Sequence, residues 1–187
     1  DRFPLTAEGL GAYDLVLLSD VGADTLQITP RVADGETDVD RCRLLAEYVA
    51  DGGALGMIGG YMSFAGKHGA ARYGLTAVDD VLPVTVGRAD DRVEAPHGPR
   101  PRPTDALPGT PPSKWPSVLG YNLVEADPDA TVWATVDGDP LLVVGDYGDG
   151  SAVAFTTDCA PHWAPETFLK WEYLPTLWSS ILDRVSG

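Results

Sequence analysis

Tyr61, Asp158, Cys159 and His162 are the side chains in this sequence whose types and surroundings best suit chemistry. Tyr61 closes the run Ala54-Leu-Gly-Met-Ile-Gly-Gly-Tyr61, in which an apolar stretch stops at two glycines and releases a polar residue. That pattern outlines a nucleophile elbow, a strained strand-to-helix turn whose neighbouring positions stay small because the backbone passes close by. Gly59, Gly60 and Ser63 meet the requirement. A cysteine or serine at position 61 would attack a carbonyl, whereas a tyrosine with an ordinary pKa of about 10 is a poor nucleophile at neutral pH. The pattern therefore has the architecture of a catalytic corner without its usual reagent.

His162 comes shortly after an apolar run, where an imidazole serves as general base, orients a substrate, or simply packs beside Trp163. Asp158 either orients His162 or caps the following turn. Cys159 precedes His162 with Cys-x-x-His spacing, which suits an activated thiolate and equally suits a small buried hydrophobe. Tyr61 either donates a hydrogen bond to a ligand carbonyl or roofs the sheet with its ring. Asp20 and Ser63 are ligand contacts or partners of loop amides, and Gly60 belongs to the same corner. Asp90-Asp91-Arg92 reads as a solvated charge run with one ion pair, and His68 and His97 sit in polar loops. Cys42 and Cys159 lie far apart in unrelated contexts, so reduced thiols are expected, with no metal site and no cofactor.

The elements that must position these groups follow from hydrophobic patterning. Tyr13-Asp-Leu-Val-Leu-Leu-Ser19 is a continuous apolar run ending at Asp20, the form of a strand covered on both faces of a parallel sheet. A helix is predicted from Thr37, which with Asp40 resembles a capping box; Cys42, Leu45, Ala46 and Val49 repeat at helical spacing and Gly52-Gly53 stop it. The run Ala54 to Gly59 closes a strand-helix-strand unit, parallel and right-handed. A loop follows with Lys67, His68 and Arg72, then a short helical turn at Thr76 to Asp80.

Residues 96–116 hold eight of the sixteen prolines and should run extended across the surface, forming neither a helix nor a central strand. Runs at 130–136, 140–144 and 151–157, joined by Asp137-Gly138-Asp139 and Gly148-Asp-Gly150, predict an antiparallel hairpin or meander at one edge of the sheet. A last helix from about Pro175 shows Trp178, Ile181, Leu182 and Val185 as its apolar stripe. In an α/β sheet of this kind ligands bind beyond the carboxyl ends of the parallel strands, where Asp20, Tyr61 to Ser63 and Asp158 to Trp163 would meet.

Composition bounds the rest. The length of 187 residues and 44% apolar content fit one domain over 1–187 with a sizeable core. Twenty-eight acids against thirteen bases leave a charge of −15, which repels phosphate backbones and anionic lipid heads, and no basic stripe offsets it. Nucleic acid and membrane are therefore not expected partners. No apolar run approaches the roughly 20 residues of a bilayer span and no leader pattern opens the chain, so a cytoplasmic protein is expected.

Leu18-Ser-Asp-Val-Gly22, Met57-Ile-Gly-Gly-Tyr-Met-Ser-Phe64, Ala71-Arg-Tyr73, Val81-Leu-Pro-Val84, Asp91-Arg-Val-Glu94, Leu119-Gly-Tyr-Asn122 and Asp158-Cys-Ala-Pro-His-Trp163 together resemble the putative glutamine amidotransferase family. That family sits in the class I glutamine amidotransferase-like superfamily, with kinship to trehalose-utilisation-type proteins, and the resemblance covers nearly the whole chain. It implies a flavodoxin-like three-layer sandwich, helices on both faces of a mostly parallel sheet with an antiparallel edge. In class I amidotransferases the elbow cysteine attacks the glutamine amide and a His-Glu pair activates it. Here the elbow position matches Tyr61, and the segment with His162 lacks His-x-Glu. Relatives also begin with a strand, a helix and another strand ahead of the position matching Tyr13. The resemblance thus implies a sheet without that unit, whose exposed strand edge invites pairing with another chain, as in a homo-oligomer.

The expectation is an amidotransferase-like protein that binds or processes a small polar metabolite, a sugar or amino-acid derivative, through Tyr61, His162 and Asp20. His162 would be the base in any catalytic step. Two alternatives stay open: a non-enzymatic binding or assembly module with a vestigial cleft, and a hydrolase using Cys159.

Overall fold

The strand that leads to Tyr61 is buried at all five of its positions, and this burial places it between two covering layers. A computed structural model describes residues 3–185. Its strands are β1 (Val16–Ser19), β2 (Ala54–Ile58), β3 (Val84–Thr85), β4 (Arg92–Glu94), β5 (Arg102–Pro103), β6 (Gly120–Asn122), β7 (Glu125–Ala126), β8 (Thr131–Val136), β9 (Asp139–Tyr147) and β10 (Gly150–Phe155). The α-helices are α1 (Ala7–Leu10), α2 (Ala23–Gln27), α3 (Pro30–Ala33), α4 (Arg41–Ala50), α5 (Glu166–Leu169) and α6 (Leu174–Val185).

The main sheet has the order β1-β2-β10-β9-β8-β5. β1 and β10 flank β2 in parallel, with Leu17 and Val153 both opposite Gly56. Beyond β10 the pairing turns antiparallel through β9, β8 and β5, so the antiparallel part extends over three strands. The Asp137-Gly138 link between β8 and β9 has positive φ at both residues, 51° and 99°, the conformation that lets a two-residue hairpin match the strand twist. Among the described residues β1 pairs only with β2, so it forms an edge, and Leu17 on it is 45% exposed.

Alternation along the central strands makes the three layers. Leu55, Met57, Ala152 and Ala154 join one core with Cys42, Leu45, Ala46 and Val49 of α4. Ala54, Ile58, Val153 and Phe155 join the other with Leu177, Ile181 and Val185 of α6. The result is the helix-sheet-helix sandwich that the family resemblance implied.

Several expectations change in detail. The cap of α4 is Asp40, not Thr37: its carboxylate accepts from the amides of Cys42 at 3.0 Å and Arg43 at 3.2 Å. In α6, Leu177, Ile181 and Val185 form the buried row at i, i+4, i+8, and Leu182 is 44% exposed on the flank. Thr76 to Asp80 makes overlapping turns, with the Thr76 hydroxyl accepting from Val78, because the preceding turn at 73–75 ends in an extended Thr76. The proline-rich stretch does not stay on the surface. It supplies β5 as an edge strand, where the missing proline donors cost no ladder bond, and it buries Leu107 and Trp115 in the core under α6.

Two short ribbons complete the architecture, β3 with β7 and β4 with β6. The second matters for function. Its Asn122 amide donates to the Thr156 carbonyl at 2.9 Å, which ties the ribbon to the chain just past β10. Tyr121 on the same strand turns into the α6-side core and donates to Asp139 at 2.7 Å.

Candidate functional site

The carboxyl ends of β1, β2 and β10 lie side by side, and the chain leaving each one carries a polar cluster. Past β2, the Gly59 amide donates to the carbonyls of Phe155 at 2.7 Å and Thr157 at 3.0 Å. A Cβ at Gly59 would stand 2.0 Å from the Thr156 carbonyl oxygen, so only glycine fits there. At Gly60 a Cβ would press on the Asp20 carboxylate at 2.7 Å. These two close approaches bring Asp20, Tyr61 and the segment after β10 to one corner.

Beneath that corner lies a buried polar frame. The Asn122 side chain brackets Gly60, accepting from its amide at 2.9 Å and donating to its carbonyl at 3.2 Å. The Asp91 carboxylate accepts from the amides of Ala65 at 2.9 Å and Gly66 at 2.8 Å and from Asn122 Nδ2 at 2.8 Å. Asp91 is thus a buried hub and not part of a solvated charge run; only Asp90, in a two-pronged pair with Arg92, fits that description. Burial raises the Asp91 carboxyl pKa, against the pull of its donors. Asp20 and Ser63 lock the loop from the β1 side: Asp20 accepts from the Met62 amide at 2.7 Å, and Ser63 Oγ accepts from the Asp20 amide at 3.1 Å.

This frame also changes the expected elbow. Positive φ falls on Asp20 (53°) and Phe64 (54°), while Tyr61 is not among the residues with left-handed backbone. No α-helix follows β2. The amides of Met62, Ala65 and Gly66 are held by carboxylates, and a left-handed Phe64 is incompatible with a helical turn, so the chain continues as an irregular loop.

Above the frame is a partly exposed face. Tyr61 donates its hydroxyl to Glu94 Oε1 at 2.7 Å, and Trp163 donates its indole N–H to Glu94 Oε2 at 3.3 Å. The Tyr61 ring meets His162 edge to face, with centroids 4.6 Å apart at 87°, and Trp163 stacks on His162 at 5.3 Å. Lys67 Nζ and the Arg92 guanidinium each lie 5.1 Å from the centre of the Tyr61 ring. The hydrogen bond to Glu94 raises the Tyr61 pKa, and the same bond lowers that of Glu94. The proton therefore sits firmly on the phenol. Burial raises the Asp158 carboxyl pKa; one of its oxygens stands 3.8 Å from His162 Nδ1 and the other accepts from the Ala160 amide at 2.9 Å.

The structure thus brings Tyr61, His162 and Asp158 together, with Asp20, Gly60 and Ser63 directly below. Asp20 and Ser63 face the loop amides they hold. Cys159 is exposed, and it is its neighbour Asp158 that stands against the imidazole. Cys42 is on the buried face of α4, where lost hydration pushes its thiol up to about 11. His68 lies against Asp90, whose partner Arg92 covers the Tyr61 ring, and His97 lies against Asp137. Among the described residues no group of three or more His, Cys, Asp or Glu is placed to hold a metal ion.

Glu94, Arg92, Lys67, Asp91 and Asn122 escaped the reading of individual residues. A signal for two of them was present: in Arg92-Val-Glu94 the period of a strand sends Arg92 and Glu94 to one face and Val93 to the core. Asp91 carried no such mark, since its three donors come from residues remote in the chain.

Solved structures share the overall fold. The chain is similar to the Cytoplasmic Protein STM1381 from Salmonella typhimurium LT2, at 42% identity and a TM-score of 0.95, covering 100% of this chain and 77% of that one. It is similar to the Cytoplasmic Protein STM3548 from Salmonella typhimurium, at 35% identity and a TM-score of 0.94, covering 98% and 76%. A ThuA-like protein from Parabacteroides merdae shares the fold at 12% identity, with a TM-score of 0.60 and coverage of 95% and 72%. No curated protein matches. A family model described as putative glutamine amidotransferase matches residues 1–187, and with two such relatives above 30% identity the chain belongs to that family.

Proposed function

We propose that the corner at Tyr61 binds a small polar metabolite, a neutral sugar or an amino-acid derivative, without a covalent intermediate, in a cytoplasmic protein. The observation that carries this reading is the paired commitment of Tyr61 to Glu94 and of the Met62 amide to Asp20. A nucleophile must lose its proton, and here the acceptor holds that proton on the phenol. Acyl transfer also needs amides free to stabilise an oxyanion, and the amide following residue 61 already holds a carboxylate.

A ligand hydroxyl or amide fits this face by insertion: it accepts from Tyr61 and donates to Glu94, replacing one hydrogen bond with two. The Tyr61 ring supplies an apolar face for a sugar ring or side-chain methylenes, with the buried Trp163 behind His162, while Arg92 and Lys67 supply donors. His162, beside the phenol, is the group positioned to act as base if the ligand is transformed.

The test is thermal unfolding with glutamine and neutral sugars, run beside an assay for ammonia release. A true ligand raises the midpoint, by about 2.7 kcal/mol of stabilisation at a hundred times its dissociation constant. The effect should disappear in Glu94→Gln and weaken in Tyr61→Phe, with no ammonia formed. Ammonia release that depends on Tyr61 would overturn the non-covalent reading. A midpoint unmoved by any compound would return the assembly alternative.

A further inference from the structure

At the antiparallel edge of the sheet, away from Tyr61, a cavity of about 1160 Å³ opens beside β5, its walls including Arg100, Arg102, Ser113, Lys114, Thr135 and Asp137. Three of the thirteen bases of a protein with charge −15 therefore face one hollow. Among the described residues none of the three forms an ion pair. The carboxylate at the rim, Asp137, is engaged by His97 Nε2 at 3.0 Å. Three cations against one carboxylate leave the lining with a net positive charge, and a bound anion relieves the repulsion among the cations.

The walls are stiff. Pro99 and Pro101 are buried, and Arg100 and Arg102 alternate with them, so the period of an extended chain turns both guanidinium groups the same way. Proline fixes the backbone of this segment, which lowers the entropy lost when a ligand orders it. Arg100 Nη1 donates to the Trp115 carbonyl at 3.0 Å, tying the arginine segment to the one that carries Lys114. β5 pairs with β8 with Arg102 opposite Thr135, which brings a hydroxyl beside the cations.

We propose that this cavity is a binding site for a small organic phosphate with at least two negative charges. Planar guanidinium groups match phosphate oxygens with paired N–H donors, Lys114 adds a point charge, and Ser113 and Thr135 supply hydroxyl donors. The ligand is small because the overall charge of −15 repels any polyanion that extends beyond the cavity. The site is independent of the Tyr61 corner, and neither proposal requires the other.

Calorimetry of the whole chain with inorganic pyrophosphate tests it. Saturable binding of one equivalent is expected, weakening several-fold as salt rises. Arg102→Gln and Lys114→Gln, both at exposed positions, should each weaken binding about tenfold while the thermal midpoint stays near that of the parent. Tyr61→Phe should leave binding unchanged. The proposal is overturned if pyrophosphate shows no saturable heat, if the double glutamine variant binds as the parent does, or if sulfate binds equally well, which would mark an adventitious ion only.

Discussion

The underside and the upper face of the Tyr61 corner are built on opposite terms. Below, Asp91 and Asn122 are buried and hydrogen-bonded to backbone that is fixed in one conformation. Above, Tyr61, Glu94 and His162 are partly open to water: Tyr61 is hydrogen-bonded to Glu94, and His162 packs on the Tyr61 ring beside Asp158. Removing a buried partner leaves a polar group with nothing to replace it, whereas water fills the gap on an open face. The shape of the corner is thus held by buried residues and not by those on its open face. The Tyr61 phenol can therefore point to the open face without carrying the fold.

The sharpest test of this contrast is Asp91→Ala, which strands the amides of Ala65 and Gly66 and the side chain of Asn122. It should lower the unfolding free energy by about 3 kcal/mol in urea titration, and a loss under about 1 kcal/mol would erase the distinction between the two regions. Gly59→Ala comes next, with a cost of about 2 kcal/mol by the same measurement, because its methyl group meets backbone that cannot move aside. Tyr61→Phe removes one bond on the open face and should cost no more than about 1 kcal/mol.

The two carboxylates should also differ in the sign of their pH effect. Glu94 has its pKa lowered in the folded chain, so its contribution is complete above the unfolded value of about 4.3 and fades as pH falls through the lower folded value. Asp91 has its pKa raised, so its contribution is greatest below about pH 3.9 and declines as pH rises through the folded value. Carboxyl titration by NMR checks both directions, and in Tyr61→Phe the Glu94 value should move back up. If Glu94 titrates at its ordinary value in both proteins, the phenol is not its principal partner. The smallest effect is expected at Cys42, whose buried thiol at about 11 should resist iodoacetamide at neutral pH until denaturant is added, while Cys159 reacts at once.

Much of this organisation was legible along the chain. Continuous apolar runs mark β1 and β2 as strands of a parallel sheet, whose carboxyl ends lie together. The pattern goes too far for β1, an edge strand with Leu17 exposed, and not far enough for the run at 151–157, which reads as part of an antiparallel edge but pairs in parallel with β2 inside the sheet. The Asp137-Gly138 hairpin and the helical spacing of Cys42, Leu45 and Val49 were equally readable, because each depends on neighbours a few residues away.

What the fold alone decided are pairings between distant residues. Asp91 meets Ala65 across 26 positions, Tyr61 meets Glu94 across 33, and Gly60 meets Asn122 across 62. Local periodicity carries no information at such separations, so an aspartate between charged neighbours reads as solvated until the sheet closes over it. The same holds for Arg100, Arg102 and Lys114, scattered cations in an acidic sequence that become one charged hollow only when β5 pairs with β8. Sequence pattern determined which segments were buried and where strands ended; packing determined which polar groups face one another, because a hydrogen bond depends on distance in space and not along the chain.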